Sequence, residues 1–323
     1  MKKIIIVLFC VSFLSCQSKR EQLKPSIVSP HKTFDQLNDS TFFASIIGMF
    51  YSDEKFYLSE LSRSELFILD KDYLLSDIIG GRGRGPGEFS FIGHIEVSHD
   101  SIFVVNGNGV SLFVNKHFIR NIPQHSFLEK NIKRVGGFDL RFAYRNGYIY
   151  YYPLSENPEI LKHNIYSDDI NIFALSNIND IHKKNRGHVV CDGVFIYAVM
   201  QNSPFIEKYS MAGERIEIYD YSRKIDFLYT LKYIDEQERQ PGTISTLVRD
   251  VSYYNGHLYL LIYLRDHSEK FISNTILAIN TSDKSDMKLY HLDNGGYFTL
   301  TACKDGLFLF DIKNAELKLY NLY

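Results

Sequence analysis

The stretch Asn146-Gly147-Tyr148-Ile149-Tyr150 joins a two-residue turn signal to a run of large apolar residues. Asn-Gly favours the tight turn of a β-hairpin because both central residues of that turn need positive φ. Tyrosine and isoleucine favour extended structure. These five residues therefore predict a hairpin whose second strand begins directly after the turn.

The same pattern recurs along the chain. The other turn signals that precede apolar strands are Asp53-Glu54, Asp100-Ser101, Asp192-Gly193, Asn255-Gly256 and Asp305-Gly306. The first residues of successive turns lie 47, 46, 46, 63 and 50 positions apart, and a second apolar run follows each turn. Units of about 45 residues built from short strands are typical of propeller blades. We therefore predict an all-β fold, a six-bladed β-propeller of four-stranded antiparallel blades.

Other repeat folds of similar period are disfavoured. WD40 and Kelch blades are built around tryptophan signatures, and this sequence has no tryptophan. HEAT repeats need helical periodicity, which the units lack. The 23 tyrosines and 24 phenylalanines cluster in the strand runs. They predict packing between blades, although a few exposed rings at one site would instead suit stacking against a glycan.

The last unit has only three predicted strands before the chain ends at Tyr323. An open sheet edge is an aggregation hazard. We expect a strand from residues 24–45 to complete that blade and close the ring.

The N-terminus predicts export and lipidation. Met1-Lys2-Lys3 precedes an apolar run from Ile4 to Leu14, which is too short to span a membrane and suits a signal peptide. Leu14-Ser15-Cys16 resembles a bacterial lipobox, in which the cysteine is acylated. The residue directly after Cys16 is Gln17 rather than aspartate, which favours the outer membrane. An ordinary secretory signal that is cut elsewhere is the alternative.

These signals divide the chain into a signal peptide at residues 1–15, a tether at 16–33 and a propeller at 34–323. Without Lys2 and Lys3 the chain holds 34 basic and 38 acidic residues, a balance that argues against binding to nucleic acid. We expect a monomer that contacts the membrane through its lipid anchor. Cys191 and Cys303 fall in units separated by a blade, which predicts two free thiols rather than a disulfide.

A glycine-rich loop, Gly-Gly-Arg-Gly-Arg-Gly-Pro-Gly-Glu-Phe at residues 80–89, separates the first two units. A P-loop would need Lys and Ser or Thr where Pro86 and Gly87 stand, and a dinucleotide fingerprint would need glycine at Pro86. No helical period follows that could hold a phosphate at a helix N-terminus. The loop therefore predicts a structural turn built by Gly83, Gly85, Pro86, Gly87 and Glu88.

The six units, the lipobox and the phrase Gly-Arg-Gly-Pro-Gly-Glu-Phe at 83–89 together resemble the TolB-like or NHL-repeat-like propeller lipoproteins of Gram-negative bacteria. The resemblance implies that this loop leads from the outer strand of one blade to the inner strand of the next. It implies a fold and a location, because that family has no agreed biochemical activity.

Motif searches for metal, nucleophile and calcium sites find none, so the sequence predicts no catalytic residues, no metal site and no cofactor. Counting back from each turn aligns the starts of the innermost strands, which surround the mouth of the central channel in a propeller. Polar side chains recur there and form the candidate ligand site: His94, Arg141, Arg186, His188, Arg249 and Asp250. They would bind an anionic or carbonyl-rich group, unless Asp250 neutralises Arg249 in a structural pair or the side chains face solvent.

The 63-residue interval indicates an insertion within Tyr221 to Leu247 that includes the charged segment 233–242. It precedes an inner strand, as the glycine-rich loop does, so both are expected on the face around the channel mouth. The sequence favours a non-enzymatic binding or scaffold module that presents this face to a protein, peptide or glycan. The alternative is a propeller hydrolase or lyase with its site at the channel mouth.

Overall fold

The computed structural model describes residues 22–38, 41–107, 109–123, 141–153, 159–176, 187–238 and 245–322. The predicted signal peptide, the lipidation site Cys16 and the candidate site residue Arg186 lie outside these ranges. Among the described residues, no helix combines the length and hydropathy needed to cross a membrane.

The described chain opens with four short strands that run along the rim before the first blade. They are β1 (Ser26–Ile27), β2 (Lys32–Phe34), β3 (Gln36–Asn38) and β4 (Thr41–Phe42).

The later strands of the described chain form six antiparallel blades, and in each blade these strands lie in chain order from the inner edge outward, which confirms the predicted propeller. Blade 1 consists of β5 (Ile46–Ser52), β6 (Lys55–Glu60), β7 (Glu65–Leu69) and β8 (Leu75–Gly80). Blade 2 consists of β9 (Ile92–Ser98), β10 (Ser101–Asn106), β11 (Gly109–Val114) and β12 (His117–Pro123). Blade 3 consists of β13 (Ala143–Arg145), β14 (Tyr148–Tyr151), β15 (Glu159–Asn164) and β16 (Ile170–Leu175).

The second half of the ring repeats this order with one addition. Blade 4 consists of β17 (Gly187–Cys191), β18 (Phe195–Met200), β19 (Phe205–Ser210) and β20 (Arg215–Asp220). Helix α1 (Leu228–Glu238) precedes blade 5, which consists of β21 (Val248–Tyr254), β22 (His257–Arg265), β23 (Phe271–Asn280) and β24 (Met287–His291). Blade 6 contributes β25 (Tyr297–Cys303), β26 (Gly306–Asp311) and β27 (Glu316–Tyr320).

Strand β2 closes the ring by pairing antiparallel with β27, so the N-terminal strand predicted for blade 6 is confirmed. Strand β1 adds a fifth strand to blade 5 by pairing parallel with β24. Strand β1 and the first two residues of β2 lie within residues 16–33, the expected tether. The propeller therefore takes up the second half of that segment.

The core lies between neighbouring blades, where apolar side chains of facing sheets pack together. Between blades 1 and 2, for example, buried Leu66, Ile79, Phe89 and Ile92 form one cluster. Each inner strand contacts that of the next blade, and β25 contacts β5 across the seam. The outer strands of blades 1 to 4 each pair with a register shift. Such bulges disrupt the exposed edge and oppose pairing between molecules.

The insertion before blade 5 forms a helix, where the sequence predicted only a charged loop. Asp226 Oδ1 accepts a hydrogen bond from Leu228 N at 3.0 Å and so caps the helix. Phe227 and Ile234 are buried against blade 5 and Leu231 packs beside them. Tertiary packing of these three residues stabilises a helix whose polar composition gave little signal.

Candidate functional site

The register of the inner hairpins identifies equivalent residues in the six blades. Six inner-strand residues each pair with a residue seven positions later: Phe50, Glu96, Ala143, Val190, Ser252 and Thr301. The residues two positions before them are therefore equivalent as well: Gly48, His94, Arg141, His188, Asp250 and Thr299. We call this second set the central ring.

An ion pair spans the central ring. Arg141 Nε lies 2.6 Å from Asp250 Oδ1, and Arg141 Nη2 lies 2.9 Å from Asp250 Oδ2. Arg141 is 4% exposed and Asp250 is fully buried. This two-point geometry is the strongest form of the interaction, and in a buried site it is needed to offset the cost of removing two charges from water.

Arg141 also binds main-chain carbonyls of two further blades. Its Nη1 donates to Met49 O in blade 1 at 3.0 Å, and its Nη2 donates to Leu300 O in blade 6 at 2.6 Å. Asp250 in turn accepts from Thr299 Oγ1 at 2.7 Å, from Leu300 N at 2.9 Å and from Val251 N at 2.9 Å. One side chain from blade 3 therefore connects blades 1, 5 and 6 through the axis of the ring.

His188 joins the same network from blade 4. Its Nδ1 accepts a hydrogen bond from Arg141 N at 3.1 Å, so the proton lies on Nε2, which is 3.2 Å from Val248 O. The His94 ring lies edge-on to it, with centroids 6.3 Å apart.

Burial and charge set the protonation of the ring. Burial lowers the pKa of His188 to about 3, so this imidazole is neutral at physiological pH. Burial alone would raise the pKa of Asp250, but the guanidinium of Arg141 outweighs it and lowers that pKa below its ordinary value. Asp250 is thus a carboxylate whose charge Arg141 compensates.

The structure brings His94, Arg141, His188 and Asp250 together, but inside the channel rather than at its solvent-exposed mouth. It also pairs Asp250 with Arg141, where the sequence had allowed a pair with Arg249. Arg249 lies one position before the central ring, at a register shift in β21. Its guanidinium carbon stacks 3.5 Å from the ring centroid of Phe298, the residue at the corresponding shift in β25.

Two inner turns begin one residue earlier than the sequence indicated. In blade 2 Ser98 pairs with Ser101, and in blade 6 Cys303 pairs with Gly306. The turns are therefore His99-Asp100 and Lys304-Asp305, and counting back from them places His94 and Thr299 level with Asp250. Glycine is the second residue of the turn in units 3 and 5 but follows the turn in unit 6, which explains the offset in unit 6.

A metal could in principle use part of the central ring, because ligand atoms of His94, His188 and Asp250 lie within 4.8 Å of one another. However, both Asp250 oxygens already accept hydrogen bonds, and both His188 nitrogens contact main-chain atoms, Arg141 N and Val248 O. A cation there would also adjoin the Arg141 guanidinium. The donor set fits a structural network better than it fits a metal.

A small cavity of about 60 Å³ lies next to the ring, on the side of the inner turns. Glu96 and Arg141 line it together with Cys191 and Ser252. Burial raises the pKa of Glu96 to about 8, and Arg141 opposes the rise only in part. Glu96 therefore retains its proton at neutral pH.

Within the described ranges, Cys191 and Cys303 are both free thiols, as predicted; Cys303 is buried and Cys191 partly buried.

The glycine-rich loop connects β8 to β9, as expected, and folds on its own side chains. Glu88 Oε2 accepts a hydrogen bond from Gly85 N at 2.7 Å, and a Cβ on Gly83 would overlap that carboxylate. The Phe89 ring is fully buried beneath Gly80, where a Cβ would clash with it. These contacts support a structural turn.

An open groove of about 240 Å³ lies between α1 and the β22–β23 hairpin. We call it the helix groove and define it by Tyr233, Ile234, Tyr263, Arg265 and Phe271. Tyr263 N donates to Leu247 O at 2.8 Å, so the groove lies at the end of the propeller where the inner strands begin. The sequence placed Tyr233 and Ile234 in the insertion on this face, but it gave no signal for Tyr263, Arg265 and Phe271, because the helix and the hairpin share no motif.

The chain shares its fold with several solved structures. A member of the DUF4221 family from Bacteroides vulgatus is 10% identical over 94% of this chain and 99% of its own, with a TM-score of 0.60. An auxiliary nutrient binding protein from Bacteroides ovatus is 11% identical over 90% of this chain and 73% of its own, with a TM-score of 0.55. A streptogramin B lyase is 13% identical over 90% of this chain and 98% of its own, with a TM-score of 0.53.

At these identities the likeness shows a shared propeller fold and nothing finer. No protein-family model matches the sequence, and no curated protein matches it either. Membership of the TolB-like or NHL-repeat-like lipoproteins stays a prediction.

Proposed function

We propose that the protein is a non-enzymatic binding module, held at the outer membrane by a lipid on Cys16. It presents the end of the propeller where the inner strands begin to a protein, peptide or glycan. The helix groove at that end is the binding site.

The observation that carries this proposal is that the Arg265 guanidinium is held in place without an ion-pair partner among the described residues. Its guanidinium carbon stacks 3.6 Å from the centroid of the Tyr233 ring, and its Nη1 donates to Glu269 O at 2.8 Å. Arg265 forms no ion pair with any residue that the structure describes. A held, uncompensated guanidinium beside aromatic rings suits a ligand that carries an anionic or carbonyl group.

Apolar surface adjoins this cation. The Phe271 ring, 50% exposed, lies at the groove edge and packs edge-on against Tyr263 with centroids 4.8 Å apart. Aromatic anchors next to arginine are typical of binding surfaces, because they bury large areas at little conformational cost. A ligand with an apolar part and a hydrogen-bond acceptor would pack the apolar part against Phe271 and place the acceptor on Arg265.

The alternative, a hydrolase or lyase at the channel mouth, is supported by the lyase among the similar folds and by the clustered histidines. The hydrogen bonding of the ring weighs against it. A general base needs a titratable group that can reach substrate, whereas Asp250 and His188 are buried and already bonded. The nutrient binding protein among the similar folds supports binding.

The test is a screen of peptides and glycans against a soluble chain of residues 22–323, followed by variants. We expect Arg265→Ala and Phe271→Ala each to weaken binding of a selected ligand about tenfold or more. Lys288→Ala, an exposed change on the outer strand of blade 5, is the matched control and should have no effect. Turnover of the ligand, or affinity that survives both groove variants, would contradict the proposal.

A further inference from the structure

A second open cleft lies at the opposite end of the propeller, where blade 6 meets blade 1. Its volume is about 670 Å³, within the size range of small-molecule sites. We call it the seam cleft and define it by Lys32, Lys71, Asp72, Tyr73 and Asp305.

Three separate parts of the chain form the seam cleft. Lys32 begins the closing strand β2, residues 71–73 form the β7–β8 turn, and Asp305 lies in the inner turn of blade 6. The cleft therefore exists only when the ring is closed.

Tyr73 is a fixed wall of this cleft. Its ring lies 5.2 Å from both Phe34 and Phe308, centroid to centroid, and its hydroxyl donates to Asp305 Oδ2 at 2.8 Å. Contacts to β2, blade 6 and its own turn fix the ring, so the wall is preorganised for a ligand.

The charges in the cleft are partly uncompensated. Lys304 on its rim pairs with Glu54 at 2.7 Å. Lys32 and Lys71, in contrast, form no ion pair within the described parts of the chain, and Lys32 Nζ lies 5.3 Å from the Tyr73 ring centroid. Asp72 provides carboxylate acceptors on the same surface.

We propose that the seam cleft binds an acidic saccharide. Lys32 and Lys71 would bind its carboxylate or sulfate, and Asp72 would accept hydrogen bonds from its hydroxyls. The mixture of signs favours a lightly charged, polyhydroxylated ligand over a compact polyanion, which the carboxylates of Asp72 and Asp305 would repel. The cleft volume also exceeds that of one inorganic anion.

This site is independent of the helix groove, which lies at the other end of the propeller. Because its ligand would contact the closing strand and blade 1 together, binding should also stabilise the closed ring. A ligand that binds only the folded state raises the melting temperature as its concentration increases.

The experiment uses calorimetry and thermal melting of residues 22–323 with trigalacturonate, neutral galactotriose and inorganic sulfate. We expect trigalacturonate to bind and to raise the melting temperature, and the other two to do neither at equal concentration. Lys32→Ala and Lys71→Ala should each weaken binding at least tenfold, whereas Lys288→Ala, an exposed change outside the cleft, should leave it unchanged.

Absence of trigalacturonate binding, equal binding of galactotriose or sulfate, or binding that survives both lysine variants would overturn the inference. Lys71 is exposed, so its variant is expected to keep the fold, and its melting temperature without ligand checks this. A negative result here would not affect the proposed function of the helix groove, because that proposal is tested with different variants.

Discussion

At the scale of single residues, the central ring forms a buried network of hydrogen-bonded polar groups inside the channel. Equivalent positions in six similar blades carry Gly48, His94, Arg141, His188, Asp250 and Thr299. The blades are alike in backbone but carry different side chains at this position, and glycine in blade 1 allows close approach, since a Cβ on Gly48 would lie 2.8 Å from Gly93 O. The ring is asymmetric: Arg141 of blade 3 extends across the axis and contacts blades 1, 5 and 6.

Glu96 gives a prediction about pH. Its pKa is about 8 in the folded protein against an ordinary value of 4.5, so the folded state keeps a proton that the unfolded state releases between these values. Stability should therefore be highest below the lower value and fall as pH rises toward about 8. Glu96→Gln should flatten this fall, with a gain of up to a few kcal/mol near pH 8.

Urea unfolding at about pH 5 and about pH 8 checks this, with exposed Glu214→Gln as the matched control. An equal loss of stability in wild type and Glu96→Gln would contradict the assignment.

The glycine-rich loop gives a second prediction at this scale. Gly87 has a φ of 80°, and a Cβ there would lie 3.3 Å from Phe118 Cβ, so Gly87→Ala should cost about 1 to 2 kcal/mol. Gly85 lies outside the left-handed region, and a Cβ there would lie 3.0 Å from a carboxylate oxygen of Glu88 at the end of a flexible side chain, so Gly85→Ala should cost less than Gly87→Ala. Thermal unfolding of both variants compares them, and equal losses would show that φ at Gly87 is not the cause.

The sequence could locate most of the ring because turns with a positive-φ signature mark each inner hairpin. It could not assign partners, since Arg141 and Asp250 are 109 residues apart and pair only through closure of the ring. The prediction of an exposed cationic mouth failed for this reason: a count of charges along strands does not show which carboxylate a buried arginine reaches.

At the scale of elements, the closing strand β2 makes the fold continuous. His31 N donates to Leu319 O at 2.7 Å, and the Phe34 ring stacks 6.0 Å from that of Phe308. The sequence predicted this strand because an unpaired edge on blade 6 would be unstable. It could not predict α1, whose stability comes from packing against blade 5.

Deleting the closing strand tests its role. A chain that begins at Asp35 should melt at a lower temperature than one that begins at Gln22 and should aggregate more readily, because β27 becomes an exposed edge. Melting followed by light scattering measures both effects. Identical melting of the two chains would mean that β1 and β2 do not contribute to closure.

At the scale of the whole molecule, the buried polar network on the axis is separate from the two proposed binding sites, which lie at opposite ends of the propeller. The Arg141–Asp250 pair connects blades 1, 3, 5 and 6 directly, so loss of one partner should lower the stability of the whole ring. Removing one member of a buried pair leaves an uncompensated charge and typically costs about 3 to 5 kcal/mol.

The most direct test of the structural axis is a double-mutant cycle of Asp250→Asn and Arg141→Met, followed by urea unfolding at pH 7. Each single variant should lose about 3 to 5 kcal/mol, and the double variant should lose at least about 2 kcal/mol less than the sum, because it leaves no buried charge unpaired. Losses that add within about 0.5 kcal/mol, or single variants as stable as the wild type, would contradict a structural axis and return the channel to consideration as a functional site.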